Sequence, residues 1–314
     1  MAESFPFSDL AGSFSALSWP ATAPIQGILH ILHGMAEHPL RYEGFAHSLN
    51  QRGITVYAHA HPGHGPQAVD AQGHFGDIHG WSHVLQRVHH MREWIRARHP
   101  DCPHGILGHS MGSFIALSYL SQHTETLAGL WLSGSTSPNL AEVWGGRLAA
   151  HIECMRQGVR GKSWLLDKLS FSSFNQKFLP ARTAFDWLSR DPQSVDRYIA
   201  DPLCGFRCTN QLWLDFLQGL WDLFAQGGLT RLPKPLPIIL VSGAEDPVGG
   251  TKGVLRLEKV LKKAGMQHVQ SHLFPGCRHE LLQELNREEV SQFLGTSLLA
   301  HIAATQGVQP AAKS

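Results

Sequence analysis

In this 314-residue chain the strongest chemical signal is a serine with glycine two positions to either side, Gly108-His109-Ser110-Met111-Gly112. The apolar run His104–Leu107 leads into it and a second, Phe114–Leu120, leads away, which predicts a strand, a sharp turn and a helix. A turn that tight holds its central residue in an unfavourable backbone conformation. It also leaves no room for side chains two before and two after, so Gly108 and Gly112 have a steric reason to be glycine. Ser110 is thereby a candidate nucleophile; the plain alternative is a glycine-rich turn with an incidental serine. A hydroxyl is a poor nucleophile near neutral pH, so the chemistry requires a base and an acid to orient that base.

Both have candidates in the order such an elbow requires, Ser then Asp/Glu then His, each at the carboxyl end of a late strand. Asp246 follows the apolar run Ile238–Ser242, and His279 follows the predicted strand His268–Phe274. Glu245 is a rival acid, and Asp246 before Pro247 could merely form a turn. With 21 histidines in the chain, position and not residue type selects His279. Acyl transfer further needs N–H donors aimed at the developing oxyanion. Met111, next to the nucleophile, supplies one backbone N–H, and Met35, in the loop His33–His38 after an early strand, supplies the other.

The elements that must position these residues read as an α/β chain. Ile25–Leu32, Ile54–Ala60, Gly105–Gly108 and Leu127–Ser133 are predicted strands, and Trp81, Val84, Leu85, Val88, Met91 and Ile95 recur at helical spacing up to Pro100. From Ser137-Pro138 to Pro233 the pattern is helical, rich in large apolar residues (Trp164, Phe171, Phe174, Phe178, Trp187, Trp213, Phe216) and without a convincing strand. The αβ alternation then resumes, ending in a helix with a capping-box pattern at Asn286 and Glu289. The expected organisation is a mostly parallel sheet flanked by helices. Residues 1–136 form the first part of a core, 137–233 a helical cap insertion, 234–305 the second part, and 306–314 a flexible tail.

With these residues in place, the chain resembles an α/β-hydrolase of the monoacylglycerol lipase and lysophospholipase branch, grouped with the serine aminopeptidase S33-like hydrolases. The phrases that carry the resemblance run from Ile25 to Leu299: HGMAEH with RYEGFA after it, AHAHPGHG, GHSMG, WLSRDPQSVDRYIADPLCGF, SGAEDPVG and PGCRHELLQE. The chain departs from the family pattern at Ala36, Ala60 and Pro62, where members often carry Gly or Ser, Asp and Arg. The resemblance implies that Ser110 attacks, His279 serves as base and then acid, Asp246 orients it, and the Met35 and Met111 N–H groups form the oxyanion hole. It implies hydrolysis of a lipid ester, monoacylglycerol or lysophospholipid in type, with no cofactor and with the segment 137–233 shaping the acyl pocket. A peptidase, amidase or small-ester esterase on the same triad is the alternative, and a non-catalytic ligand-binding module is a third.

Composition narrows the partners. Lys and Arg total 26 against 25 Asp and Glu, with no run of five or more Lys or Arg, so no nucleic-acid partner is expected. A small-molecule or lipid ester is the expected partner, with transient contact of the cap on a membrane surface. Five scattered cysteines, no basic-then-apolar leader in the first 24 residues and no apolar stretch of about 18 residues point to the cytoplasm. One segment invites a different chemistry. His59-Ala60-His61-Pro62-Gly63-His64 nearly spells a zinc-hydrolase signature, but Gly63 stands where the acidic ligand should be. Cys204 and Cys208 lack the second pair that a structural zinc site would require, and no metal is expected.

Overall fold

The computed structural model describes residues 2–9 and 12–307, and the side chains of Phe171 and Ser172 fall outside that description. Eight strands form one sheet: β1 (Glu3–Asp9), β2 (Gly12–Trp19), β3 (Gly27–Leu32), β4 (Ile54–His59), β5 (His104–His109), β6 (Gly129–Ser133), β7 (Ile238–Gly243) and β8 (Val269–Phe274). Their spatial order is β1-β2-β4-β3-β5-β6-β7-β8, antiparallel for the β1–β2 and β2–β4 pairs and parallel thereafter. The helices of the first half are α1 (Glu43–Asn50), α2 (Gly80–Arg98) and α3 (Met111–Leu120).

Strands β3 to β7 are buried along their whole length, which is why they read as unbroken apolar runs and not as alternation. Alternate residues nevertheless serve opposite faces. Leu130, Leu132, Ile238 and Leu240 join α2, α3 and the later helix Gly250–Lys263 in one core, while Trp131, Ile239 and Val241 join α1 and the last helix, Arg287–Gly307, in the other.

The N-terminal hairpin was not legible, since no element was predicted before Ile25. Pro6 and Gly12 hide the pattern, and only tertiary contacts settle it. Phe7 stacks on Phe14 with centroids 5.4 Å apart and meets Trp94 of α2 edge-on at 5.2 Å, and Arg87 of α2 grips Asp9 through two hydrogen bonds of 2.7 and 2.9 Å. Pro6, lacking an N–H, sits on the edge strand where that costs least.

Between β6 and β7 lie α4 (Leu140–Gln157), α5 (Trp164–Leu169), α6 (Phe171–Phe174), α7 (Pro192–Ala200) and α8 (Asn210–Phe224). Their starts are written in the sequence. Asn139, Ser163, Asp191 and Thr209 each accept a backbone N–H at the first turn, and Pro192 takes the position where a missing N–H is harmless. After β7 come α9 (Gly250–Lys263), β8 and α10 (Arg287–Gly307). The capping box read at Asn286 is not formed. Its amide donates to the Glu289 carboxylate at 2.8 Å, while its carbonyl accepts from Arg190 at 2.8 Å and from the Cys277 thiol at 3.0 Å. Gln306 and Gly307 still belong to α10, and residues 308–314 of the expected tail lie outside the described residues.

Candidate active site

Ser110 sits between β5 and α3 at φ 50° and ψ −119°, a conformation that L-residues adopt only under constraint. Its N–H is held by the Ser133 carbonyl at 2.8 Å, and its own carbonyl accepts from the Ser113 hydroxyl at 2.6 Å. A β-carbon on Gly108 would lie 2.5 Å from the Gly112 carbonyl oxygen, and one on Gly112 would lie 2.0 Å from that of Leu32. Both glycines therefore permit the close approach that the turn demands. Met111 begins α3, so its N–H has no carbonyl of its own helix to bind.

At the carboxyl end of β7, Asp246 lies within reach of His279: Nδ1 of the imidazole is 3.0 Å from each carboxylate oxygen. The carboxylate is held in turn by the Val248 N–H at 2.9 Å and the Ser242 hydroxyl at 3.0 Å. Burial would raise the Asp246 pKa, but the facing imidazole and these donors bring it below the ordinary value. Burial likewise works against a charged His279, and the Asp246 carboxylate reverses it, so this histidine is more basic than usual. Glu245, next in sequence, turns outward and pairs with Lys177 at 2.8 Å. Gly134, at φ 61°, leaves the space that His279 fills, since a β-carbon there would be 2.9 Å from Cε1. The rings of His109 and Trp187 complete the imidazole's surroundings, with centroids 4.8 and 5.1 Å away.

The loop after β3 closes over the serine, with the added β-carbon of Gly34 3.3 Å from that of Ser110. Ala36 stands in the left-handed region at φ 54°, where a glycine would be unstrained. Three bonds hold it there: its N–H donates to His64 Nε2 at 3.2 Å, and its carbonyl accepts from Gly205 N–H and the Tyr198 hydroxyl at 3.0 Å each. Met35, between Gly34 and Ala36, lines the same cavity as Ser110 and Met111.

The histidines of the zinc-like segment serve this loop. His64 spends both ring nitrogens on backbone, accepting from Ala36 and donating to the Pro62 carbonyl at 2.9 Å. His61 donates to the His33 carbonyl at 3.1 Å, and His33 accepts the His61 N–H at 3.1 Å while donating to Gly34. His59 pairs with His30 at 2.9 Å. Their geometry is that of a hydrogen-bonded scaffold, and the three imidazoles of the motif do not converge on one point. Cys204 and Cys208 are buried free thiols.

The cavity at Ser110 has a volume of about 490 Å³. Phe114, Phe174, Trp187, Trp213, Phe216, Leu217 and Leu220 form apolar walls, and Thr136, Asn139, Glu142 and Arg256 make a polar portion. Of the aromatic residues singled out in the inserted segment, Phe174, Trp187, Trp213 and Phe216 thus face the cavity. Phe178 instead lies under the Arg278 guanidinium at 4.1 Å, and the Phe171 side chain is outside the description. Sequence reasoning missed one buried group entirely, the ion cluster Glu37–Arg41–Glu280 behind the loop. HGMAEH and RYEGFA contain its first two members, but nothing local announces a partner 239 positions away.

Comparison with known proteins agrees with this architecture. The model of the family "Serine aminopeptidase, S33" matches residues 23–286. Human monoglyceride lipase is 29% identical over 296 residues, covering 90% of this chain and 87% of that protein. A monoacylglycerol lipase of Mycolicibacterium smegmatis is 25% identical over 287 residues, covering 90% and 92%. Among solved structures, a thermostable carboxyl esterase from Bacillus coagulans, crystallised with glycerol, superposes with a TM-score of 0.86 at 26% identity and covers 96% of this chain and 99% of that one. The fold is that of the α/β-hydrolases, and the chain belongs to the serine aminopeptidase S33 family of hydrolases.

Proposed function

We propose that this protein is a carboxylic ester hydrolase acting on lipid esters of the monoacylglycerol or lysophospholipid type, by way of an acyl-enzyme. The observation that carries the reading is an apolar-walled cavity opening on a strained serine, together with a buried Asp–His pair whose imidazole packs against His109, next to that serine, and against Trp187 of the cavity wall. The names of the human and mycobacterial relatives and of the esterase neighbour support the ester class.

In this mechanism His279 takes the Ser110 proton as the oxygen attacks the ester carbonyl, and Asp246 steadies the imidazolium through Nδ1. The N–H groups of Met35 and Met111 receive the oxyanion. Collapse expels the alcohol, protonated by His279, and the same histidine then activates the water that releases the fatty acid. No cofactor enters any step. Residues 137–233 act as the cap, with α6 and α8 walling the acyl site.

Along α4, Leu140, Trp144, Leu148 and Ile152 are exposed at intervals of four, Trp164 of α5 is exposed as well, and the exposed Leu169 of α5 also lines the cavity. A patch of this kind suits transient contact with a lipid surface, from which the substrate would enter. Among the described residues no helix is long and apolar enough to cross a membrane. The five free cysteines accord with a cytoplasmic setting.

The test is kcat/KM for p-nitrophenyl esters from C2 to C16 below their micelle thresholds, beside glycerol monoesters and aminoacyl anilides. Each buried methylene contributes about 0.8 kcal/mol, so the constant should rise severalfold per carbon, roughly tenfold per carbon pair, until the cavity is full. A flat series, or a maximum at acetate, would overturn the lipid-ester assignment.

A further inference from the structure

Two buried carboxylates, Glu37 and Glu280, and the largely buried Arg41 stand behind the loop that carries Met35. Arg41 places Nη1 2.9 Å from Glu37 Oε2 and closes a two-pronged pair with Glu280, whose Oε2 lies 2.7 Å from Nη2. The other oxygen of Glu37 accepts the Gly34 N–H at 2.5 Å and the Tyr42 hydroxyl at 2.9 Å. Glu280 is the residue after His279, and its own N–H is anchored on the Leu188 carbonyl at 2.8 Å. One guanidinium therefore links the loop that lies against Ser110 to the backbone segment that carries His279. The Tyr198 ring, 4.8 Å from the guanidinium carbon, packs against it, and the Tyr198 hydroxyl holds the Ala36 carbonyl.

We propose that Arg41 is a positioning residue, which through Glu37 and Glu280 holds the Met35 loop and the His279 segment in fixed register across Ser110. The inference rests on the proposed roles of Ser110 and His279. Oxyanion stabilisation demands donors placed to a fraction of an ångström, and base catalysis demands the same of the imidazole. The two groups sit on segments far apart in sequence, so a rigid forked link between them sets their separation. Two carboxylates to one guanidinium also leave the cluster with one negative charge. The titratable groups that bear on His279 are Asp246, Glu280, Glu37 and His109, and all three carboxylates favour its protonated form.

Arg41→Lys keeps the charge but cannot hold both carboxylates in the forked geometry. It should lower kcat about 10- to 100-fold with KM within about threefold, measured per correctly folded molecule from thermal unfolding at the assay temperature. Glu280→Gln keeps the shape, removes one negative charge, and should move the acid limb of kcat/KM to lower pH while lowering kcat. A purely structural pair would move neither. Unchanged kcat in Arg41→Lys, or an unmoved acid limb in Glu280→Gln, overturns the proposal, and the second variant decides alone if the first does not fold. Fluorophosphonate labelling of the wild-type protein separates the two levels. Label absent from Ser110 overturns the catalytic reading itself, whereas label on Ser110 with unaffected variants overturns only the role of Arg41.

Discussion

Two groups of buried histidines lie within a few residues of one another in space and differ in proton affinity. His279 is raised above the ordinary imidazole value, whereas His30, His33, His59, His61 and His64, beneath the neighbouring loop, are all lowered, His33 to about 3 and His64 to about 4. Burial alone depresses every one of them, because a low-dielectric interior disfavours the charged ring. What separates His279 is a carboxylate in direct contact, with further negative charge behind it. The charge of Glu37 does raise His33 and His64, but it is too small to offset the cost of their burial. The same residue type is thus made more basic in one place and less basic in the other.

The largest test of this contrast is deletion. His279→Ala or Ser110→Ala should cost on the order of 10⁶ in kcat, while His59→Gln should leave turnover per folded molecule nearly intact and lower stability. Loss of chemistry in His59→Gln, with the fold unchanged by circular dichroism, would erase the distinction. Next comes the carboxylate. Asp246→Asn should lower kcat by about 10⁴ by favouring the wrong tautomer, and Glu245→Gln, exposed and paired with Lys177, should change it little. The reverse pattern would transfer the role by one residue.

Acidity separates the two groups along one axis. The proposed mechanism needs neutral His279, whose pKa is raised, so the acid limb of kcat/KM should lie above about 6.5. The scaffold behaves oppositely. Histidines depressed in the folded state take up protons on unfolding, so stability is full above about pH 6.5. It falls below that pH by up to about 1.4 kcal/mol per pH unit for each such residue. Urea unfolding at a series of pH values should show this slope, and His59→Gln should make it shallower. A stability that stays level from pH 6.5 to 5 would contradict the neutral scaffold. The smallest effect is that of metal. Chelator-treated protein should keep its activity, whereas activity lost in EDTA and restored by zinc would turn His59, His61 and His64 back into ligands.

Much of the site was legible before any coordinates. Gly108-x-Ser110-x-Gly112 carries its geometry locally, because strand, turn and helix are adjacent in sequence and the glycines are required by backbone contacts of the turn itself. The positions of Asp246 and His279 followed from the ends of two strongly apolar strands. Helix starts in the inserted segment were equally local, each a capping side chain before its first turn.

What the sequence determined by itself was therefore whatever rests on short-range periodicity and local sterics: the strands β3 to β8, the elbow, and the order of the chemical groups. Tertiary structure alone decided the rest. The β1–β2 hairpin is held by Phe7 and Asp9 against α2, about 80 positions away, and its own residues carry only a weak strand pattern. Asp246 and Glu245 are adjacent carboxylates of similar chemistry, and only the turn after β7 decides which one faces the imidazole. Arg41 and Glu280 meet across 239 positions, and the proton affinity of every buried histidine depends on which charges the folded chain brings beside it. Electrostatic environment is a property of three-dimensional neighbours, and it cannot be read along a chain.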